Sequence, residues 1–391
     1  MSLTVTEKAI ITKAVLEKKL PMHEFLKFEY SNDFGSGTGD VVNLTVPAYP
    51  TAFEGLSGTA EAISDKKVTL TVTLKSVMNV VNAKDRTLDI KDWEKQVAVP
   101  AMNALAEKIS RDEFNAALLA AEITEVSTSA SFDHLASISG KIRDSKVNEY
   151  SEGGAFLSNV LNSKVISTGN KWMTAKLSEQ NYEGNINMFD GFNYVPTSIA
   201  RPVATSWFPT SGSTVGATVD TNGATSITIA DAALTSANTI KAGTVFQVAN
   251  VNLCNVLGDD QGLQRSFVVV EDKVASTGSV AVSVAELTFT GAGKNCSTAI
   301  TSGAAITTPM AANSSYLVAV LFAKDSLAGA SKVPASPESG NGATAPIADG
   351  INVRITYDYS NSNTDESVRY STYHGVKAVH GKAIGAYFVK V

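Results

Sequence analysis

The sequence predicts a mixed α+β chain of more than one domain, and three observations carry that prediction. Apolar residues Trp93, Val97, Ala101, Leu105 and Ile109 recur every four positions over 91–121, the signature of a long amphipathic helix. Alternating runs such as Val68, Leu70, Val72 and Leu74 with threonines between them read as half-buried strands. A stretch poor in charge and rich in Ser, Thr, Gly, Ala and Val, about 210–309, separates two halves of mixed pattern. At 391 residues and ~150 residues per domain, two to three domains are expected.

Taken in order, residues 4–20 predict a short helix. Thr4 or Thr6 can cap it, Glu7 sits in its first turn, and Pro21 follows its charged end. Ile10, Ile11, Ala14 and Val15 make too narrow a stripe to hold such a helix alone, so it must lean on something. A Gly-rich turn, 31–40, leads to Val42, Leu44 and Val46, which pair across 47–67 with the run at 68–74 as a long two-stranded excursion. A lone hairpin is marginal in water. Both the first helix and the excursion 31–75 are therefore expected to lie across neighbouring copies of the chain. The long helix can be capped by Thr87 or Asp89, and Pro100 should kink it or start a new segment. Residues 132–146 predict a second helix, with Phe132, Leu135, Ile138 and Ile142 on one side.

Within the charge-poor stretch, short strands are expected at 226–229, 244–249, 266–270, 280–284 and 287–289, a spacing that suggests a small all-β barrel or sandwich. Beyond it come an apolar strand at 316–322, a Pro/Gly/Ser loop at 334–346, and a hairpin in which Ile351, Val353 and Ile355 run up to Tyr359 and 368–373 return. The economical reading is a β-domain inserted into an α/β domain, with the hairpin packed on the long helix.

Composition narrows the function. The chain has 32 basic and 38 acidic residues, a net charge of -6, which argues against sequence-independent binding of nucleic acid. No stretch approaches the ~18 apolar residues of a membrane helix. Residues 1–20 mix Glu and Lys with apolars, so a signal peptide is not expected, and synthesis inside the cell is. Two cysteines, Cys254 and Cys296, make no disulfide framework.

Motifs for chemistry are weak. Gly35, Gly37 and Gly39 precede a strand, where a dinucleotide loop needs a helix, and Gly291-Ala292-Gly293-Lys294 lacks a P-loop's first glycine. His374 and His380 are expected on one face of a strand, but neither they nor His23 and His134 have neighbours at metal-ligand spacing. Asp259-Asp260 and Asp365-Glu366 read as solvated turns, Asp112 and Glu113 as the polar side of the long helix, and Trp93 and Trp172 as core anchors. No catalytic, cofactor or metal residue is assigned, and a structural role is favoured over an enzymatic one.

The order of elements resembles that of the tailed-phage major capsid proteins of the Hong Kong ninety-seven fold, and more closely the subfamily typified by the short-tailed Salmonella phage coat protein, with its inserted β-domain. Three stretches carry the likeness. Val68-Thr69-Leu70-Thr71-Val72-Thr73-Leu74 leads through Thr87-Leu88-Asp89-Ile90 to Val99-Pro100-Ala101-Met102-Asn103-Ala104-Leu105-Ala106, like the family's extended loop feeding its spine helix. Gly191-Phe192-Asn193-Tyr194-Val195-Pro196-Thr197-Ser198 is similar to the strand before the insertion. Ile240-Lys241-Ala242-Gly243-Thr244-Val245-Phe246-Gln247 resembles the start of the inserted barrel, with Gln264-Arg265-Ser266-Phe267 following.

The resemblance implies an N-terminal arm (1–30), an extended loop (31–80), a peripheral domain with the spine helix (81–125), and a first part of an axial domain (126–208). It continues with an inserted β-barrel (209–312), the second part of the axial domain (313–350), the peripheral strand pair (351–373) and the axial C-terminal strand (374–391). It also implies a virion protein made in the host cytoplasm, with no cofactor and no membrane contact. Its partners would be further copies of itself in pentamers and hexamers, a scaffolding protein, a portal and optional decoration proteins. The shell would enclose double-stranded DNA without reading its sequence. Two other classes compete: a secreted bacterial surface or adhesin-like protein, suggested by the Ser/Thr/Gly-rich region, and an enzyme whose active site is dispersed along the chain.

Overall fold

The computed structural model describes residues 5–17, 19–30, 41–46, 66–82, 97–145, 152–169, 188–189, 191–206, 212–291, 293–332, 342–344, 351, 353–360 and 365–391. The chain opens with α1 (Val5–Glu17), a 3-10 turn at His23–Phe25, and strands β1 (Lys27–Tyr30), β2 (Val41–Val46), β3 (Lys66–Thr71) and β4 (Thr73–Asn82). Next come α2 (Val99–Leu119), β5 (Ile123–Ser127), α3 (Phe132–Ser145), β6 (Gly153–Ser158), α4 (Asn159–Gly169), β7 (Met188–Phe189), β8 (Phe192–Thr197) and β9 (Val203–Ala204). The charge-poor stretch holds β10 (Thr214–Val215), β11 (Ala224–Ala230), β12 (Thr239–Ile240), β13 (Val245–Cys254), β14 (Asp260–Val268), β15 (Lys273–Val274), β16 (Ser279–Leu287) and β17 (Ile306–Thr307). The chain ends with β18 (Ser315–Ala323), β19 (Leu327–Lys332), β20 (Gly342–Thr344), β21 (Arg354–Ser360), β22 (Asp365–Ala378) and β23 (Ile384–Lys390).

Two compact units result: 1–44, 68–113 and 328–377 form the first, and 45–67, 114–327 and 378–391 the second. In the first, a six-stranded sheet runs β1-β19-β22-β21-β20, with β4 also paired to β22. Helix α2 covers it: Ala101, Met102, Leu105, Ala106 and Ile109 share one core with Ile351, Val353, Ile355, Val368 and Tyr370. Each buried Leu or Ile contributes roughly 1.5–3 kcal/mol here. The expected stripe is therefore the buried face. The α-helical part begins at Val99, directly after a π-helical turn at Val97 and Ala98, so Pro100 sits beside a local distortion of the helix. The residues expected to extend it, 91–96 with Trp93, and the capping candidates Thr87 and Asp89 lie outside the described residues.

Helix α1 has Ala9 and Leu16 fully buried in this same core, with Val15 packed against it, so its narrow stripe finds support within the chain. Leu20, Met22, Phe25 and Leu26 are buried beyond its end. The predicted strand at 68–74 divides at Val72 into β3 and β4, and β4 continues eight residues further than Leu74 to Asn82. β2 and β3 pair as a separate two-stranded sheet, as expected.

The second unit is built on a seven-stranded sheet, β5-β23-β18-β6-β8-β7, with β9 also on β18. β18 reads as a continuous apolar run, and nearly every residue of β18 and of β6 is buried, as strands covered on both faces must be. Helices α3 and α4 supply Leu135, Ile138, Ile142, Leu161 and Val165 against Ala155, Leu157, Leu317, Ala319, Leu321 and Tyr387. Contact is close enough that a Cβ on Gly385 of β23 would lie 2.2 Å from Ile138 Cγ2.

The charge-poor stretch has a core of its own, containing Ile227, Ile229, Phe246, Val248, Phe267, Val280 and Val282. Its ladders can be followed round: β16-β11-β10, then Val215 N–H to Ala304 C=O (2.9 Å) toward β17, then β17-β13-β14. From the end of β14 the Val270 N–H returns to Ser283 C=O of β16 (2.8 Å).

Candidate assembly surface

Strand β4 is paired along its length with β22, Thr73 opposite His374 through Asn82 opposite Asp365, and β22 is its only ladder partner among the described residues. Period-two alternation sends Val77 inward against the α2 core. Leu74, Met78 and Val80 face the other way and are 45%, 55% and 63% exposed. Beside them on the same face, Arg369 stands opposite Met78, its Nη2 3.9 Å from the Met78 sulfur, and Tyr373 stands opposite Leu74. Scattered exposed apolar residues need no explanation. Leu74, Met78 and Val80, three of the four residues on this face of 74–80, do, because one edge of the strand has no partner among the described residues and such an edge is a template for pairing with another chain.

The inner side of β4 is fixed by charge. Lys75 Nζ lies 2.5 Å from Asp112 Oδ2 on α2, and Lys108 Nζ lies 3.0 Å from Oδ1. Burial pushes the Asp112 carboxyl up, but the hydrogen bonds from Lys75 and Lys108 outweigh it and hold its pKa below the ordinary value. Asp112 thus fixes β4 to the helix and leaves the opposite face of the strand uncovered.

The remaining sequence candidates scatter. His374 is buried in β22, whereas His380 follows the end of that strand, so the two do not share a strand face. His134 stacks on Tyr387 at 5.3 Å, its Nδ1 3.8 Å from Glu125. Asp259 and Asp260 are exposed, but only Asp259 lies between β13 and β14, and Asp260 opens β14. Asp365 and Glu366 open β22 and are not a turn. Gly291 and Gly293 take positive φ (77° and 83°) in a loop with no helix after it. The Gly35 to Gly39 run and Trp172 lie outside the described residues. Among the described residues no group of three or more His, Cys, Asp or Glu is placed to hold a metal, and no helix is long and apolar enough to cross a membrane.

Two buried charge clusters were not readable from the sequence. One surrounds Glu113, which is fully buried and not on a polar helix face. The other ties the charge-poor stretch to the seven-stranded sheet. Arg265 of β14, 1% exposed, donates from Nη2 to Glu122 Oε1 (3.0 Å) and from Nη1 to Asn295 Oδ1 (3.0 Å) and Cys296 Sγ (2.5 Å). Burial works against the guanidinium charge, but Glu122 together with the sulfurs of Cys296 and Cys254 outweighs burial and raises its pKa. Burial pushes both thiols, Cys254 and Cys296, up, which makes them packing groups and not nucleophiles. Main-chain bonds run alongside, Ser266 N–H to Glu122 C=O (3.1 Å) and Val256 N–H to Ser145 C=O (2.9 Å).

No protein-family model matches the chain, and no curated protein does. Solved structures do. The capsid of Ralstonia phage GP4 is similar at 7% identity and a TM-score of 0.48, over 95% of this chain and 92% of that one. The capsid of cyanophage P-SCSP1u gives 9% and 0.47, over 93% and 86%. The virus-like particle of Pyrococcus furiosus gives 9% and 0.43, over 98% and 100%.

Proposed function

We propose that the chain is the major capsid protein of a tailed, double-stranded DNA bacteriophage and works by self-assembly, with no catalytic role. The observation that carries self-assembly is the edge of β4 that has no partner among the described residues, with Leu74, Met78 and Val80 turned outward. Burying three such side chains against a second copy would contribute several kcal/mol per contact. Repeated around rings that close, modest contacts give a container that resists opening. The two-stranded β2–β3 sheet, which has no third strand among the described residues, fits an extension that finds its support in a neighbour.

The phage-shell identity rests on the order of elements and on the three quoted stretches. Within that reading 81–125 and 351–373 form the peripheral domain around α2, and 126–208, 313–350 and 374–391 the axial domain. Residues 209–312 form an inserted β-barrel, closed by the ring of ladders from β16 round to β14, as in the short-tailed Salmonella phage subfamily. Pentamers and hexamers, a scaffolding protein and a portal belong to the same proposal, as does residence in the virion after synthesis in the host cytoplasm. A net charge of -6 suits a wall that encloses DNA without gripping it.

The test is a pair of charges on the exposed stripe. Met78→Glu with Val80→Glu alters no buried contact, so the melting temperature and circular dichroism of the subunit should stay those of the parent. Particles in electron micrographs should disappear. Particles of normal size and stability from this variant would remove the assembly role from β4.

A further inference from the structure

Three chain segments of the first unit meet at Glu113. It lies near the end of α2 and is fully buried. His374 Nε2, from β22, is 3.2 Å from Glu113 Oε1, and His23 Nδ1, from the 3-10 turn after α1, is 3.9 Å from the same oxygen. His374 is as buried as Glu113, while His23 sits at the rim with 18% of its side chain exposed. Among the neighbouring charged groups, Asp112 pairs with Lys75 and Lys108, Arg111 with Glu107, and Lys377 with the Thr69 carbonyl, while Lys13 of α1 is also buried. Glu24, next to His23, is exposed.

We propose that His23, Glu113 and His374 form an acid-released latch that holds the N-terminal segment, α1 and the turn after it, against α2 and β22. A buried carboxylate is tolerable only with partners that neutralise it. Burial pushes Glu113 up, but the two histidines outweigh burial and hold its pKa below the ordinary value. A carboxylate whose pKa is depressed by folding stabilises the folded state above its unfolded pKa of 4.5, and that contribution is lost as pH falls through the lower, folded value. Protonation of Glu113 leaves the ring nitrogens of His23 and His374 facing a neutral carboxyl, and the attraction that joins the three segments is lost. Of the three segments, the one through His23 is the easiest to move, because it lies at the rim and belongs to a terminal segment. Release in acid should therefore begin there, ahead of the sheet.

The full chain can report this through a dye on Ile10→Cys, an exposed position on α1, since the native thiols Cys254 and Cys296 are buried. Fluorescence anisotropy should step down at a midpoint below pH 4.5 while far-ultraviolet circular dichroism remains that of a folded chain. His23→Gln removes the N-terminal segment's imidazole from Glu113 at the rim and should abolish the step. Glu113→Gln should give low anisotropy at every pH. His134→Gln, in the second unit, should leave the step in place. A wild-type trace flat down to global unfolding, or a step unchanged in His23→Gln, would overturn the latch.

Discussion

Arg265 and Glu122 show at the residue scale how a buried charge serves the fold. Each alone would be an uncompensated ion in a dry site, and removing one partner of such a pair costs about 3–5 kcal/mol. Arg265→Met and Glu122→Leu should each lower the unfolding free energy obtained from denaturant titration by about that amount, and the double variant should be less damaged than the two single effects added together. Additive losses would show that the two side chains act independently. Nothing local in the sequence marks this pair, since Arg265 sits among polar residues in an exposed-looking strand and Glu122 lies far from it along the chain. Glu113 was misplaced for the same reason. A helical charge is assigned to solvent by its type, and only tertiary structure brings His23 and His374 to it. Gly385 is another such position, small because Ile138 of α3 already fills the space its Cβ would take.

At the scale of elements, α2 was legible because its 3.6-residue stripe is long and unbroken. Leu105→Asp with Ile109→Asp would place two carboxylates in the core shared with Ile351, Val353 and Tyr370, and should leave the chain insoluble or unfolded. Wild-type circular dichroism and solubility would refute that packing. α3 and the strands β11, β13, β14, β16 and β18 were legible on the same grounds of period and turn residues. Others were not. β4 beyond Leu74 carries apolar residues on both faces, Val77 inward and Met78 and Val80 outward, so the alternation that marks a strand cancels. β6 and α4 follow one another without a break from Gly153 to Gly169, and the glycines and polar residues there hide both patterns. The hairpin arm gives an independent test of the elements around it. Deleting 47–67 should leave a folded subunit that forms no stable particles, and heat-resistant particles from the deletion would contradict that role.

Across the whole molecule, the sequence pattern conveyed that a β-rich stretch interrupts a mixed α+β chain, since a change of composition is visible without contacts. How the chain interleaves was not visible. The first unit takes three separate segments, 1–44, 68–113 and 328–377, and strand pairings such as β4 with β22 join residues nearly three hundred positions apart. Such pairings leave no local trace. That Ala9 and Leu16 of α1 find cover within the chain was not visible either. What is left uncovered is the outer face of β4, and the account depends on a second copy filling it. Electron microscopy of the purified chain at high concentration, with and without a co-expressed scaffolding protein, tests this most directly. The account expects closed particles tens of nanometres across, built from rings of five and six subunits. A solitary monomer under both conditions would contradict it.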